Sequence, residues 1–347
     1  MPWTGKSVLI TGVCGSVGKE LLRQLIETEV ASIVGLDNNE TELFFLSEQY
    51  AADPRVSLFL GDLRDRDKLN RKMNGMDIVL HAAALKHVIL CEKTPRDPVQ
   101  TNIIGTQNVI DAAIQNNVER VLFTSSDKAV NPTNVMGTTK LMGERLMTAA
   151  NAHRRGGGPI FASTRFGNVL GSRGSVVPVF RAQIARGGPL TLTDEDMTRF
   201  IMTLEQAVRL VMDSVFLACG GEVFVTKMHV VRIADLARAM IEELASRYGH
   251  APEDIKIRVI GSKPGEKLYE ELMNDEETRR TVELPGYFVV LPAFKSVYEE
   301  IDYSYPGMGD VGISAPYNSS VIPAMGMADL RTYLGDNQLL AEDACAY

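Results

Sequence analysis

The most constraining feature of this chain lies near its start. There the apolar run Ser7-Val8-Leu9-Ile10-Thr11 passes through Gly12-Val13-Cys14-Gly15-Ser16-Val17-Gly18 into the amphipathic stretch Lys19–Ile26. A buried strand that turns on glycines into a helix is the phosphate-binding unit of an open, doubly wound sheet. Gly12 permits the tight turn, Gly15 lets a pyrophosphate approach the backbone, and Gly18 lets helix and strand pack closely. The helix start at Ser16 and Val17 supplies free N–H groups and a positive partial charge suited to an anion.

The same alternation of strand and helix continues. Strands are predicted at Ser32–Asp37, Val56–Asp62, Asp77–Ala82 and Arg120–Ser125, with helices between them, notably Asn108–Asn116. This spacing argues for an α/β fold, a Rossmann-type doubly wound parallel sheet covered on both faces. Beyond Ser172 the pattern loosens. Helices are predicted at Ser175–Ala185, Leu204–Leu217 and Ile233–Arg247, with short strands at Glu222–Val225 and Ile255–Ile260. We divide the chain into residues 1–172, mainly a dinucleotide-binding domain, and 173–296, mainly a substrate-binding lobe whose elements partly return to the sheet. Residues 297–347 are expected to form an irregular C-terminal arm; Val297–Tyr317 is rich in Tyr, Gly, Ser and Pro and has no period.

Cofactor preference is read at the strand ends. Asp37 ends the second strand, where a carboxylate accepts from the adenosine ribose hydroxyls and repels a 2′-phosphate. No Arg follows in Asp37-Asn38-Asn39-Glu40, so NAD is expected rather than NADP. Gly61-Asp62-Leu63 places Asp62 near the adenine amino group, and the small residues Ala82, Ala83 and Ala84 after His81 leave room for the cofactor.

The fifth strand leads into Thr124-Ser125-Ser126-Asp127-Lys128, then Met136-Gly137-Thr138-Thr139-Lys140 on a helix. A hydroxyl, a carboxylate and an ammonium thus stand consecutively where strand ends face the cofactor crevice. Here the chain resembles the extended short-chain dehydrogenase/reductase family, over roughly Ser7 to Met273. That family usually carries Tyr-x-x-x-Lys where this chain has Met136-x-x-x-Lys140. Ser126-Asp127-Lys128 with Met at the Tyr position is similar to the UDP-N-acetylglucosamine 4,6-dehydratases of bacterial surface-glycan pathways. Further matches in order are His81–Val88, Arg165-Phe166-Gly167-Asn168-Val169, Gly171–Pro178, Asp196–Phe200 and Lys263-Pro264-Gly265-Glu266-Lys267.

The resemblance implies a reaction and roles. NAD oxidises the sugar C4 hydroxyl, a base removes the acidified C5 proton, the C6 hydroxyl leaves as water, and the hydride returns to C6. Lys128 is the candidate C5 base, provided burial or a neighbouring cation lowers its pKa. Asp127 is the candidate acid at the C6 oxygen, Ser126 orients the C4 oxygen, and Lys140 holds the nicotinamide ribose. A thioether has no acidic proton, so Met136 cannot replace the phenol as C4 base. Asp127, Lys128 or a bound water is left for that step, and Asp127 is our hypothesis. The resemblance also places Phe166 by the cofactor. Asn168, Ser175, Val176 and Val177 are expected around the nucleotide diphosphate, with Arg199 making a bidentate contact to it, Glu266 at the nucleotide ribose and Lys86 near the sugar.

Composition restricts the alternatives. A net charge of -8 with no basic stripe excludes nucleic acid as a partner. The cysteines at 14, 91, 219 and 345 share no metal spacing, so reduced thiols and no metal site are expected. The start enters a strand without a signal-like apolar core, and no apolar run reaches the ~18 residues of a membrane span. We expect a soluble, cytoplasmic enzyme that forms a dimer or higher homo-oligomer, the family habit being a dimer through the helices after the fourth and fifth strands. A nucleotide-sugar 4-epimerase and a non-catalytic nucleotide-binding regulator are the rival readings. Retention or inversion at C5 stays open.

Overall fold

The computed structural model describes residues 2–153, 158–172, 175–261, 265–294, 301–310 and 312–341. Its frame is a nine-stranded sheet. Six strands carry the first half of the chain: β1 (Ser7–Thr11), β2 (Ser32–Asp37), β3 (Val56–Leu60), β4 (Ile78–His81), β5 (Arg120–Ser126) and β6 (Ile160–Phe166). They lie in the order β3-β2-β1-β4-β5-β6, all parallel. Val223–Thr226 extends the sheet in parallel beside β6, and Tyr287–Val290 and Thr281–Glu283 complete it antiparallel. The doubly wound parallel sheet read from the sequence is thus the fold of this chain.

Continuous apolar strands are what a sheet covered on both faces requires. Val8, Leu9 and Ile10 of β1 are fully buried, as are Ile78, Val79 and Leu80 of β4. Leu21, Leu22 and Leu25 of the helix Ser16–Ile26 are fully buried as well. Each such leucine contributes roughly 1.5–3 kcal/mol of burial, so the helix start is held rigidly above β1. A second apolar core joins the helices Val176–Ala185, Ile233–Leu244 and Met327–Asp336.

That last helix corrects the expectation of an irregular arm over 297–347. Leu330, Tyr333 and Leu334 fall at i, i+3 and i+4 and are buried against the second core. A strand at Tyr317–Asn318 also pairs antiparallel with Glu271–Met273. Residues 301–310 carry no helix or strand. Residues 154–157, 173–174, 262–264, 295–300, 311 and 342–347 lie outside the description, and with them Arg173, Gly174, Lys263, Pro264 and Cys345.

Candidate active site

Parallel strands bring all their C-terminal ends to one edge, and the expected cofactor residues collect there. Gly12 has φ +75°, and a Cβ on it would come 2.7 Å from the Ala83 backbone. A Cβ on Gly18 would lie 2.1 Å from the Gly12 carbonyl oxygen. Only glycine fits either place. At Gly15, the N-cap of Ser16–Ile26, the one neighbour is the Gly12 oxygen at 3.3 Å, so the outer side of the loop is open to a phosphate. Asp37 closes the loop: its carboxylate accepts from Cys14 N and from Asn39 N, each at 2.9 Å. These features fit a dinucleotide. Asp62 is held by Arg64 at 2.6 and 2.9 Å, which lowers its carboxyl below the usual range, and the Leu63 carbonyl accepts from Asn108.

Beneath the loop a hydrogen-bond chain crosses the buried edge. Ala83 N lies 3.4 Å from Thr11 Oγ1, which is 2.7 Å from His81 Nδ1. His81 Nε2 lies 3.1 Å from Thr106 Oγ1, whose hydroxyl donates to the Asn102 carbonyl. Because Thr106 gives its proton to that carbonyl, His81 must donate from Nε2 and accept at Nδ1. Burial pushes the imidazole down to about 3, with the nearby Lys140 charge adding to it. His81 is therefore neutral and fixes the strand ends that carry Ala82 and Ala83.

β5 runs directly into the chemical groups. Ser126 ends it, and Asp127–Ala129 form a single 3-10 turn. The Ser126 hydroxyl donates to Asp127 Oδ1 at 2.9 Å and accepts from Lys128 N at 3.1 Å. Asp127 is 1% exposed, which is not the state of a surface ion pair. Lys128 Nζ lies 3.1 and 3.2 Å from the two Asp127 oxygens and 3.6 Å from Glu270 Oε1. Arg199 Nε approaches the same Glu270 oxygen at 3.5 Å.

This arrangement corrects the condition placed on Lys128. Burial lowers its pKa, but the charges of Asp127 and Glu270 outweigh burial, and the net shift is upward. In the resting protein Lys128 is an ammonium between two carboxylates. Glu270, which the sequence reading missed, is the perturbed acid of the cluster. Burial, then the Asp127 charge, pushes its carboxyl up to about 7 despite Lys128 and Arg199.

The helix Val135–Ala150 is capped by Asn134, whose side chain accepts from Gly137 N at 2.8 Å. Met136 and Lys140 sit one turn apart near its start, 3% and 7% exposed. Lys140 Nζ donates to the Thr124 carbonyl at 2.8 Å and lies 4.7 Å from the Phe123 ring centroid. Burial lowers it to about 8.

The expected substrate residues are less uniformly gathered. Ser175 caps the helix Val176–Ala185, and its buried hydroxyl has no partner among the described residues. Val177 is buried in the second core, with Val176 packed against it. Phe166 ends β6 opposite Ser126, and Asn168 pairs in register with Ile201. Lys86 and Glu266 are exposed. Arg199 is a correction. It donates to the carbonyls of Thr198, Leu268 and Lys267 at 2.7, 3.2 and 2.7 Å, so it ties down the loop before Glu270 instead of presenting a free fork for a diphosphate.

Comparison with known proteins gives the class. The model of the polysaccharide biosynthesis protein family matches residues 8–292, and the chain belongs to that family. Among its relatives is the uncharacterized membrane protein MJ1061 of Methanocaldococcus jannaschii, 51% identical over 83% of this chain and 86% of that one. An inverting UDP-N-acetylglucosamine 4,6-dehydratase of Campylobacter jejuni is 38% identical, covering 89% of this chain and 90% of its own. A UDP-glucose 4-epimerase of Rickettsia canadensis is 38% identical over 82% of each chain. The solved structure of Pen from Bacillus thuringiensis superposes with TM-score 0.90 at 40% identity, covering 98% of this chain and all of that one. Among the described residues no helix is long and apolar enough to cross a membrane.

Proposed function

We propose that this protein is an NAD-dependent nucleotide-sugar 4,6-dehydratase that converts UDP-N-acetylglucosamine into a UDP-4-keto-6-deoxy-N-acetylhexosamine. The observation that carries the reading is the acid–base pair of buried Asp127 and half-buried Lys128, directly after β5 and one helical segment from Lys140. An epimerase has no use for an acid that protonates a departing hydroxyl, and a regulator has none for a carboxylate buried beside a half-buried ammonium at the cofactor edge, since burying a charge is costly. The dehydratase relative favours the same reading. The epimerase relative keeps 4-epimerisation as the second one.

In this reading NAD, when bound, accepts and returns the hydride. Asp37 and Asn38 would hold its adenosine ribose, and the loop Gly12–Gly18 its pyrophosphate. The carboxylate of Asp37, already accepting from Cys14 N, repels a 2′-phosphate and favours NAD over NADP. Asp127 takes the C4 hydroxyl proton and delivers it to the C6 oxygen. Lys128 removes the C5 proton, and Ser126 and Lys140 orient the reacting oxygen and the nicotinamide ribose. Residues 173–296 supply the sugar-nucleotide side. The exposed Ile89, Leu90, Ile104 and Met142 on the helices after β4 and β5 form the face of a homodimer in the cytoplasm.

Incubating the purified protein with UDP-N-acetylglucosamine and NAD, then recording product mass and NMR in deuterated water, tests the reading. A 4-keto-6-deoxy sugar lighter by one water supports dehydration, and the C5 signal assigns its configuration. Unchanged mass with inversion at C4 would establish the epimerase instead.

A further inference from the structure

Glu270 is the strongest unassigned group near the pair. It is 4% exposed, and it begins the stretch whose next residues, Glu271–Met273, form a strand. Its own N–H donates to Ser319 Oγ at 2.9 Å, so its backbone is fixed from the far side as well. Its flanking carboxylates are engaged elsewhere: Glu271 with Asn131 and Lys267, and Glu266 at 4.0 Å from Arg199. The groups facing the Glu270 carboxyl are Asp127 and Lys128 from the turn after β5 and Arg199 from Thr198–Met202.

This placement meets a chemical need. An ammonium cannot remove a C5 proton, and Lys128 is an ammonium held between carboxylates. Asp127 cannot relieve it, because in the proposed reaction Asp127 carries the C4 proton to the C6 oxygen. A second acceptor within reach of Nζ would free the amine faster at neutral pH than solvent does, and the Glu270 carboxyl lies 3.6 Å from it.

We propose that Glu270 is that acceptor, a relay residue that takes a proton from Lys128 Nζ and returns it once turnover is complete. The inference rests on the dehydratase reading and deepens it. The steps balance. The N–H bond of Lys128 breaks as an O–H bond forms on Glu270, leaving a neutral amine. That amine takes the C5 proton, while the proton on Asp127 leaves with the C6 oxygen as water. When the hydride returns to C6, Lys128 gives its new proton back to C5 in a retaining reaction, or to solvent while solvent protonates the opposite face in an inverting one, and Glu270 then restores the ammonium. No net proton is gained or lost by the protein. A carboxyl lifted to about 7 suits such an exchange near neutral pH.

The test is the pH–rate profile of the NAD-loaded full chain with UDP-N-acetylglucosamine, for wild type, Glu270→Gln and Glu270→Asp. Wild type should lose rate on the acid side with a midpoint near 7, where the relay is already protonated. Glu270→Gln should fall about 10²-fold at neutral pH with KM within about twofold, and its rate should keep climbing to alkaline pH as solvent takes the Lys128 proton. Glu270→Asp should recover part of the rate with a displaced acid limb. A wild-type profile flat through neutrality, a Gln variant with the wild-type rate and limb, or one depressed equally at every pH would each overturn the relay. Equal depression would make Glu270 a mere strut for Lys128 and Arg199. If Glu270→Gln fails to fold, an Asp variant with an unmoved limb overturns it as well. Wild type that makes no 4-keto-6-deoxy product sinks the dehydratase reading and the relay with it, whereas an active wild type with an indifferent Glu270→Gln sinks the relay alone.

Discussion

Gly137 lies against the carbonyl of Lys128 so closely that a Cβ on it would come 2.2 Å from the Lys128 oxygen. The residue after Met136 is thus what allows the helix Val135–Ala150 to seat on the turn that carries Asp127 and Lys128. Two effects compete in Gly137→Ala. Alanine favours a helix by about 1 kcal/mol over glycine, but the overlap is with backbone and cannot be relieved by a rotamer. Overpacking should win, destabilising the protein by about 1–3 kcal/mol. A thermal melt gives the stability, and product assays should show turnover falling further than stability, because the displaced atoms belong to Lys128. A higher Tm with full turnover would contradict this contact.

Met136 and Asp127 should respond in opposite ways to conservative change. Met136 is buried and carries no exchangeable proton, so its contribution is volume. Met136→Leu, nearly isosteric, should cost less than about 1.5 kcal/mol and leave turnover within about threefold. Asp127→Asn keeps the shape but loses the proton carrier, and should lower kcat by about 10²-fold or more with little change in substrate affinity. Near-normal turnover by the Asn variant would end the assignment of Asp127 as C4 base and C6 acid.

Arg165 holds the scaffold of the pair together. Its guanidinium is fully buried and meets Glu144 at 2.6 and 2.8 Å, Glu277 at 2.8 Å twice, and the Leu272 carbonyl at 3.1 Å. Glu144 lies one turn beyond Lys140 on the same helix, and Glu277 follows the strand that Glu270 leads into. The triad therefore sets the distance between the two sides of the catalytic cluster. Arg165→Met strips the buried Glu144 of its guanidinium and leaves Glu277 only the longer Arg280 contact at 3.8 Å, and should cost about 3–5 kcal/mol. Urea unfolding of Arg165→Met beside Arg165→Met/Glu144→Gln/Glu277→Gln separates the causes. Removing the charges together should recover most of the loss, and a triple variant no more stable than the single one would show that packing, not stranded charge, is responsible.

How far the sequence reached follows from which signals are local. β1, β2 and the helix Leu204–Leu217 are found at their predicted bounds, because apolar runs and the Thr203 capping box are written in adjacent residues. The Gly12–Gly18 loop was legible for the same reason. Glu270 was not. It sits in Lys267-Leu268-Tyr269-Glu270-Glu271, where a charged run reads as a solvated face, and its inward turn depends on Lys128 and Arg199 arriving from distant parts of the chain. No alternation marks it either, since Leu268 and Tyr269 are both exposed before it. Arg199 misled for the converse reason: a motif gives residue type, while the carbonyls that occupy a guanidinium come from the folded loop. The Met327–Asp336 helix had its signal in Leu330, Tyr333 and Leu334, but it is short and follows a stretch without periodicity.

His81 gives a pH dependence that can be separated from every other group. Its folded pKa is about 3 against an ordinary 6.5, because desolvation disfavours the imidazolium. Between those values the unfolded chain binds the proton and the folded one does not, so stability rises with pH across the window. Read downward, the contribution is complete above about pH 6.5 and is lost as pH falls toward 3, at up to roughly 1.4 kcal/mol per pH unit. His81→Gln should be less stable at neutral pH by about 1–3 kcal/mol, since the geometry that joins Thr11 to Thr106 is broken. It should also lose less stability than wild type on acidification, because glutamine takes up no proton. Urea midpoints of both proteins from neutral pH down to about pH 4.5 make the comparison, and the carboxylates common to both cancel in the difference. Parallel curves would mean that the folded His81 takes up its proton as the unfolded one does, with Nδ1 then donating to Thr11 Oγ1 instead of accepting from it.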